Sequence, residues 1–156
     1  MLNKVWVEMD SQLSNYARGK AIEIGIVGST AAIIIFMYFG LEYVALLSVL
    51  VGFSVLIPYL GAFIVTFPVA AVGLLQFGLS FDFWLLMGAY LVLQILDGNL
   101  LVPILFSDAV KLHPVIIMLA VFVFGGMFGF WGVFFAIPIA TLIKAIWNSW
   151  PKNLAN

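Results

Sequence analysis

Residues 43–81 read YVALLSVLVGFSVLIPYLGAFIVTFPVAAVGLLQFGLSF and contain no Asp, Glu, Lys or Arg. A helix at a water-facing surface keeps charged side chains on its outer face, and this stretch has none to put there. It is also too long for a single crossing of a bilayer. About 20 residues, each rising about 1.5 Å, span about 30 Å of hydrocarbon. The stretch therefore reads as two apolar helices with a break between them. That break belongs at Pro58-Tyr59-Leu60-Gly61, where proline removes a backbone donor and glycine permits the turn.

The charges divide the rest of the chain in the same way. Between Glu23 and Glu42 lie 18 residues, between Asp82 and Asp97 lie 14, and between Lys111 and Lys144 lie 32. The block of 14 would reach only about 21 Å as an unaided helix, so it either borrows apolar residues from its flanks or is a partial span. The block of 32 carries Gly125, Gly126, Gly129 and Gly132, and each glycine weakens a helix by about 1 kcal/mol relative to alanine. It reads as two short helices, about 114–124 and 131–147, meeting in a glycine-rich bend. Gly125 and Gly129 also form a GxxxG pair, a spacing that lets helices approach closely. The apolar segments expected are 22–40, 43–57, 60–78, 83–96, 114–124 and 131–147.

Composition fixes the class. Hydrophobic residues make up 65% of the 156 and charged residues 8%, against about 25% charged in a soluble domain. The fold class expected is all-α, a polytopic transmembrane protein with Pro/Gly-broken or re-entrant helices, solvated by the lipid bilayer. A net charge of −1 provides no basic surface for nucleic acid. The absence of cysteine excludes disulfide scaffolds, thiolate metal sites and cysteine nucleophiles. No cofactor or metal is expected.

MLNKVWVEMD lacks the basic and apolar regions of a cleaved signal peptide, so the spans themselves would direct insertion. Within residues 1–20, Leu2, Val5, Trp6, Met9, Leu13 and Tyr16 recur at steps of three and four. That spacing predicts an amphipathic helix, either at the membrane interface or packed on another domain. Arg18 and Lys20 precede the first span, while Lys144 and Lys152 follow the last. This places both ends, including a short tail at 151–156, on the cytoplasmic side with an even number of crossings. VTFPVAAV at 65–72 echoes FAIPIATL at 135–142. Proline-interrupted segments in two halves can mark a transporter's binding region.

Acids inside an apolar chain are the candidates for chemistry, because burying one is expensive unless it serves a function. Glu23, Glu42 and Asp82 fall at segment edges, where an acid simply marks the water interface. Asp97 differs: Gln94 precedes it, Gly98-Asn99 follows, and the apolar run Leu100 to Phe106 carries the chain on. Asp97 and Asn99 are thus the candidate substrate or ion positions, with Gln94, Pro58 and Gly61 beside the path. The alternative for Asp97 is a cap on Asn99 or a neighbouring amide. His113 is the one histidine, a residue type that shuttles protons near neutral pH. Its place before Pro114 reads instead as a structural loop position. Asp108 and Lys111 are spaced to pair, which in a solvated loop contributes little. No HExxH, GxSxG or Walker motif is present, and no second aspartate lies in a recognisable protease context, so the chain reads as a non-enzyme.

These pieces resemble, in order, the C-terminal half of the autoinducer-2 exporter family of bacterial membrane proteins, especially its PerM-type permeases. Tyr16-Ala17-Arg18-Gly19-Lys20 is similar to the family's Tyr-x-Arg-Gly-Gln/Lys motif. Ile57-Pro58-Tyr59-Leu60-Gly61 is similar to its Ile-Pro-Tyr-x-Gly break. Gln94 to Asn99, Pro103 and Leu112-His113-Pro114 resemble its Gln…Glu/Asp-Gly-Asn…Pro…Leu-His-Pro region. Gly125, Gly126, Gly129, Gly132 and Ala136-Ile137-Pro138 resemble its closing pattern. Many members carry a basic residue just after the proline matching Pro103, where this chain has Ile104. Family chains are about twice as long, so the sequence reads as part of one. The resemblance implies a multi-pass inner-membrane permease that forms homo-oligomers. Members are linked to export of autoinducer-2, and others to sodium or lithium exchange for protons. Two functions follow for test: ion- or proton-coupled secondary transport of a small solute or cation, and a non-transporting scaffold assembled through its glycine faces.

Overall fold

The computed structural model describes residues 2–106 and 112–149, which leaves Asp108, Lys111, Lys152 and the tail outside the described residues. Every regular element among them is helical. Helix α1 (Leu2–Thr30) passes residue 20 without a break and continues as a wider π-helical segment over Ala31–Phe36. The amphipathic stretch and the first apolar segment are therefore one helix. Its first turns expose Leu2 and Trp6, whereas from Tyr16 onward one face is buried against the rest of the chain.

Helices α2 (Val44–Ser54) and α3 (Leu60–Phe77) form the hairpin that the uncharged stretch predicts. Gly61 closes it, since a Cβ there would overlap the Ser54 carbonyl. Tyr59, in the break, adopts φ 60° and ψ −51°, a left-handed strain that a non-glycine residue holds only where its surroundings impose it.

Helix α4 (Phe81–Leu96) runs on through a π-helical turn at Asp97–Leu101 into α5 (Val102–Leu105). Pro103 explains the widened turn. Its ring excludes the carbonyl four residues back and it offers no N–H, so the helix bulges upstream instead of breaking. The short block thus borrows length from its C-terminal flank. Phe81–Leu105 gives 25 continuous residues, and Leu60–Phe77 gives 18. Both are long and apolar enough to cross a membrane. Their outer faces are strongly apolar, with Phe63, Leu75, Phe81, Trp84 and Leu91 exposed, as lipid solvation requires.

Helix α6 (Pro114–Phe128) extends further than expected, and the bend falls at Gly129 (φ 67°, ψ −139°) before α7 (Phe130–Phe134) and α8 (Ala136–Ser149). Gly132 lies so close to the Phe124 backbone that a side chain would overlap it, and Gly125 lies against the Val133 methyl. Of the GxxxG pair, Gly125 thus packs within this hairpin and Gly129 makes its turn. Pro138 sits in the first turn of α8, where a missing donor is harmless.

Two apolar cores result. One joins α1 to α2, α3 and α4 around Val27, Phe36, Leu47, Val51, Val69 and Leu86. The other joins Tyr16 and Phe106 to α6 and α8 around Ile117, Val121, Ala136 and Ala140. Helix α1 and the Asp97–Leu105 region serve both.

Candidate functional site

A cavity of about 610 Å³ lies where the two cores meet. Helix α1 contributes Lys20 and Glu23, and the α2–α3 break contributes Ser54, Pro58 and Tyr59. The far end of α4 and its π turn contribute Gln94, Asp97 and Asn99, and Pro103 and Phe106 complete that wall. Most of the remaining lining is apolar, including Ile117 and Ile137.

The chemistry is concentrated on one side. Lys20 is 4% exposed and Glu23 1%, which corrects the edge reading of Glu23 and the reading of Lys20 as a simple flanking charge. Lys20 Nζ donates to Glu23 Oε2 at 2.9 Å and to the Val55 carbonyl at 2.8 Å. The ammonium also lies 5.0 Å from the Phe106 ring centroid and 5.9 Å from that of Tyr16. A buried cation needs such partners to offset its lost hydration.

Asp97 stands opposite. Its carboxyl lies against that of Glu23, close enough for a carboxyl–carboxyl hydrogen bond when one of them carries a proton, and within electrostatic reach of Lys20; its buried Oδ1 accepts from no other group. No amide donates to that Oδ1, and the acid beside it is Glu23. One ammonium faces two carboxyls, so a single proton or monovalent cation would neutralise the set. Among the described residues no three His, Cys, Asp or Glu side chains gather to hold a metal ion.

The other sequence candidates divide. Asn99 lines the cavity, but its amide donates to the Ile95 carbonyl at 2.9 Å and supports the π turn. Gln94 Nε2 donates to the Tyr90 hydroxyl at 2.8 Å, which lies 3.3 Å from Thr66 Oγ1. That chain ties α4 to α3. Pro58 lines the cavity, whereas Gly61 does not and acts through the hairpin turn. Gly19 is pressed against the Phe106 ring and Arg18 is exposed. His113 caps α6, its Nδ1 accepting from the Val115 N–H at 3.2 Å, with Pro114 in the first helical position. Ile104 is 69% exposed and outside the cavity lining, so a basic residue there would not face the buried charges. Sequence reasoning missed Lys20 and Glu23 as site residues. The available signal was their spacing of three on one helix, which stacks them on one face.

Broken apolar helices around a cavity with buried charges make a helical fold consistent with a membrane protein. The chain belongs to the AI-2E transporter family, whose sequence profile, described as "AI-2E family transporter", matches residues 1–152. It is 59% identical over 153 residues to the "Putative permease PerM" of Escherichia coli (strain K12), covering 98% of this chain and 43% of that protein. It is 33% identical over 140 residues to the "Putative transport protein YrrI" of Bacillus subtilis (strain 168), covering 89% of this chain and 38% of that one. It is 36% identical over 137 residues to a "Putative transport protein" of Archaeoglobus fulgidus, covering 85% and 38%. The chain thus spans about two-fifths of the length of these relatives. No solved structure matches it at a significant level.

Proposed function

We propose that this chain forms the cavity-bearing part of an inner-membrane secondary transporter. A small solute passes through the cavity, coupled to one proton or monovalent cation held at Asp97. The observation that carries this reading is the buried Asp97 carboxyl, set against that of Glu23 beside a single ammonium, with an Oδ1 that accepts from no donor. A buried acid with an open acceptor is a position for a coupling ion. The π turn supports the reading, since irregular backbone at membrane depth is tolerated where protein buries it or it lines a cavity. So does the junction of two cores, around which the hairpins can rock. The excess of carboxyls over cations disfavours an anionic solute. The family description makes autoinducer-2 the first solute to try.

The test is flux in proteoliposomes or inverted vesicles under an imposed pH gradient, comparing autoinducer-2 with sodium. Asp97→Asn abolishes gradient-driven flux on this reading; unchanged flux removes Asp97 from the path. A scaffold that only assembles would show no gradient-driven flux in the parent protein either.

A further inference from the structure

The α2–α3 break leaves the Val55 carbonyl in need of a donor. Helix α2 ends at Ser54, and the residue three positions beyond Val55 is Pro58, which has no N–H to close a turn onto that carbonyl. Lys20 supplies the donor from a different helix, at 2.8 Å. Its second partner, Glu23, lies one turn away on α1, so Glu23 holds the ammonium to its own helix. The bond to Val55 then ties that helix to the break.

We propose that Lys20 is a latch: its ammonium fastens the α2–α3 break to α1 through the Val55 carbonyl, and the charge state of Asp97 decides whether the latch holds. This rests on the transport reading and supplies its coupling step. Asp97 is the competing partner, a carboxyl within electrostatic reach of Lys20 that shares a proton-dependent hydrogen bond with Glu23 and whose buried Oδ1 accepts from no donor. With a proton or monovalent cation on Asp97, the ammonium stays on Glu23 and Val55, the arrangement seen here. With Asp97 charged and empty, the ammonium is drawn toward it, the Val55 carbonyl loses its donor and the hairpin is free to move. The other titratable groups around the ammonium are the phenols of Tyr16 and Tyr59, on α1 and in the break. Gln94, which lines the same cavity, and Phe106, whose ring lies over the ammonium, do not titrate. The rings of Phe106 and Tyr16 cover the ammonium, which limits competition from water and makes the choice between its acceptors decisive.

Thiol accessibility tests this without any transport assay. The chain has no cysteine, and Ser54 lines the cavity at the end of α2, so Ser54→Cys serves as the parent for labelling by a membrane-impermeant methanethiosulfonate in vesicles. Adding Lys20→Met should speed labelling about tenfold, the equivalent of one charge-assisted hydrogen bond. Adding Asp97→Asn should leave labelling at or below the parent's rate. Lys20→Met at the parent's rate, or Asp97→Asn above it, overturns the latch. Because Lys20→Met also orphans Glu23, the double variant Lys20→Met/Glu23→Gln is decisive: fast labelling upholds the latch, and a return to the parent's rate assigns the effect to the stranded acid. Flux abolished by Asp97→Asn alongside a failed labelling pattern would overturn the latch and leave transport standing. Flux unaffected by Asp97→Asn alongside the expected labelling pattern would do the reverse.

Discussion

Lys20 and Val55 are 35 positions apart in sequence and joined at 2.8 Å by an ammonium-to-carbonyl hydrogen bond. The bond places a charge where the sequence shows only a break between apolar helices. It also sets the stability of the region, because Glu23 depends on the same ammonium. Lys20→Met would leave Glu23 buried without a cation, and breaking a buried pair on one side costs about 3–5 kcal/mol. Lys20→Met/Glu23→Gln should regain most of that loss. Thermal melting in detergent reads both; a double variant no more stable than the single one would mean that the pair is not the source.

The two hairpins predict a sharp split among the glycines. At Gly61 and Gly132 an added Cβ would overlap the Ser54 and Phe124 carbonyls, whereas Gly88 and Gly126 face open space. Backbone cannot move aside as a flexible side chain can, so Gly61→Ala and Gly132→Ala should sharply lower the yield of folded protein. Gly88→Ala and Gly126→Ala, inside helices, should be neutral or stabilise by up to about 1 kcal/mol. Size-exclusion yield and melting temperature separate the pairs, and a well-folded Gly61→Ala protein would show that the hairpin closes differently.

Tyr90 holds α3 and α4 together through its hydroxyl. It accepts from Gln94 Nε2 at 2.8 Å and lies 3.3 Å from Thr66 Oγ1, with the ring 2% exposed. Tyr90→Phe keeps the packing and strands the Gln94 donor, which should cost about 1–3 kcal/mol. Tyr90→Phe/Gln94→Leu should recover part of it. Additive losses in this cycle would mean that the two side chains are not coupled.

How much of this was legible in the sequence depended on whether the signal was local. Pro58 and Gly61 located the first hairpin because proline and glycine act on their own backbone. The glycines at 125–132 located the second bend to within a few residues, with Gly129 at the turn because it alone of the four takes positive φ. Pro103 could have revealed the π turn, but a proline inside an apolar run reads equally as a kink, a break or a bulge. The segment around Asp97 therefore looked like an interruption, although the helix passes through it.

The buried charges were harder to find, for a physical reason. A lysine before an apolar block looks the same whether it marks the water interface or turns inward to a carbonyl 35 residues away. Glu23 looked like a boundary for the same reason. What distinguishes them is the position of Val55, Asp97 and Phe106 in space, and only the packing of α1 against α2 and α5 supplies that. The family resemblance pointed to the Lys20 and Asp97 neighbourhoods separately; the fold is what joins them.

Gly126 offers a cleaner test of assembly than Gly129. At Gly129 the backbone holds φ 67° and ψ −139°, a region nearly restricted to glycine. Gly129→Leu should therefore destabilise the single chain by about 1–3 kcal/mol whether or not copies associate. At Gly126 nothing lies within reach of an added Cβ, and the helix leaves room for a longer side chain on the lipid side. Gly126→Leu should fold as well as the parent, so a fall in oligomer mass on cross-linking or native mass spectrometry would place this face at a contact between copies. If transport depends on the Asp97 cavity within each chain, gradient-driven flux per folded chain should survive Gly126→Leu. Flux lost together with the oligomer, with melting unchanged, would mean that the working unit requires the contact.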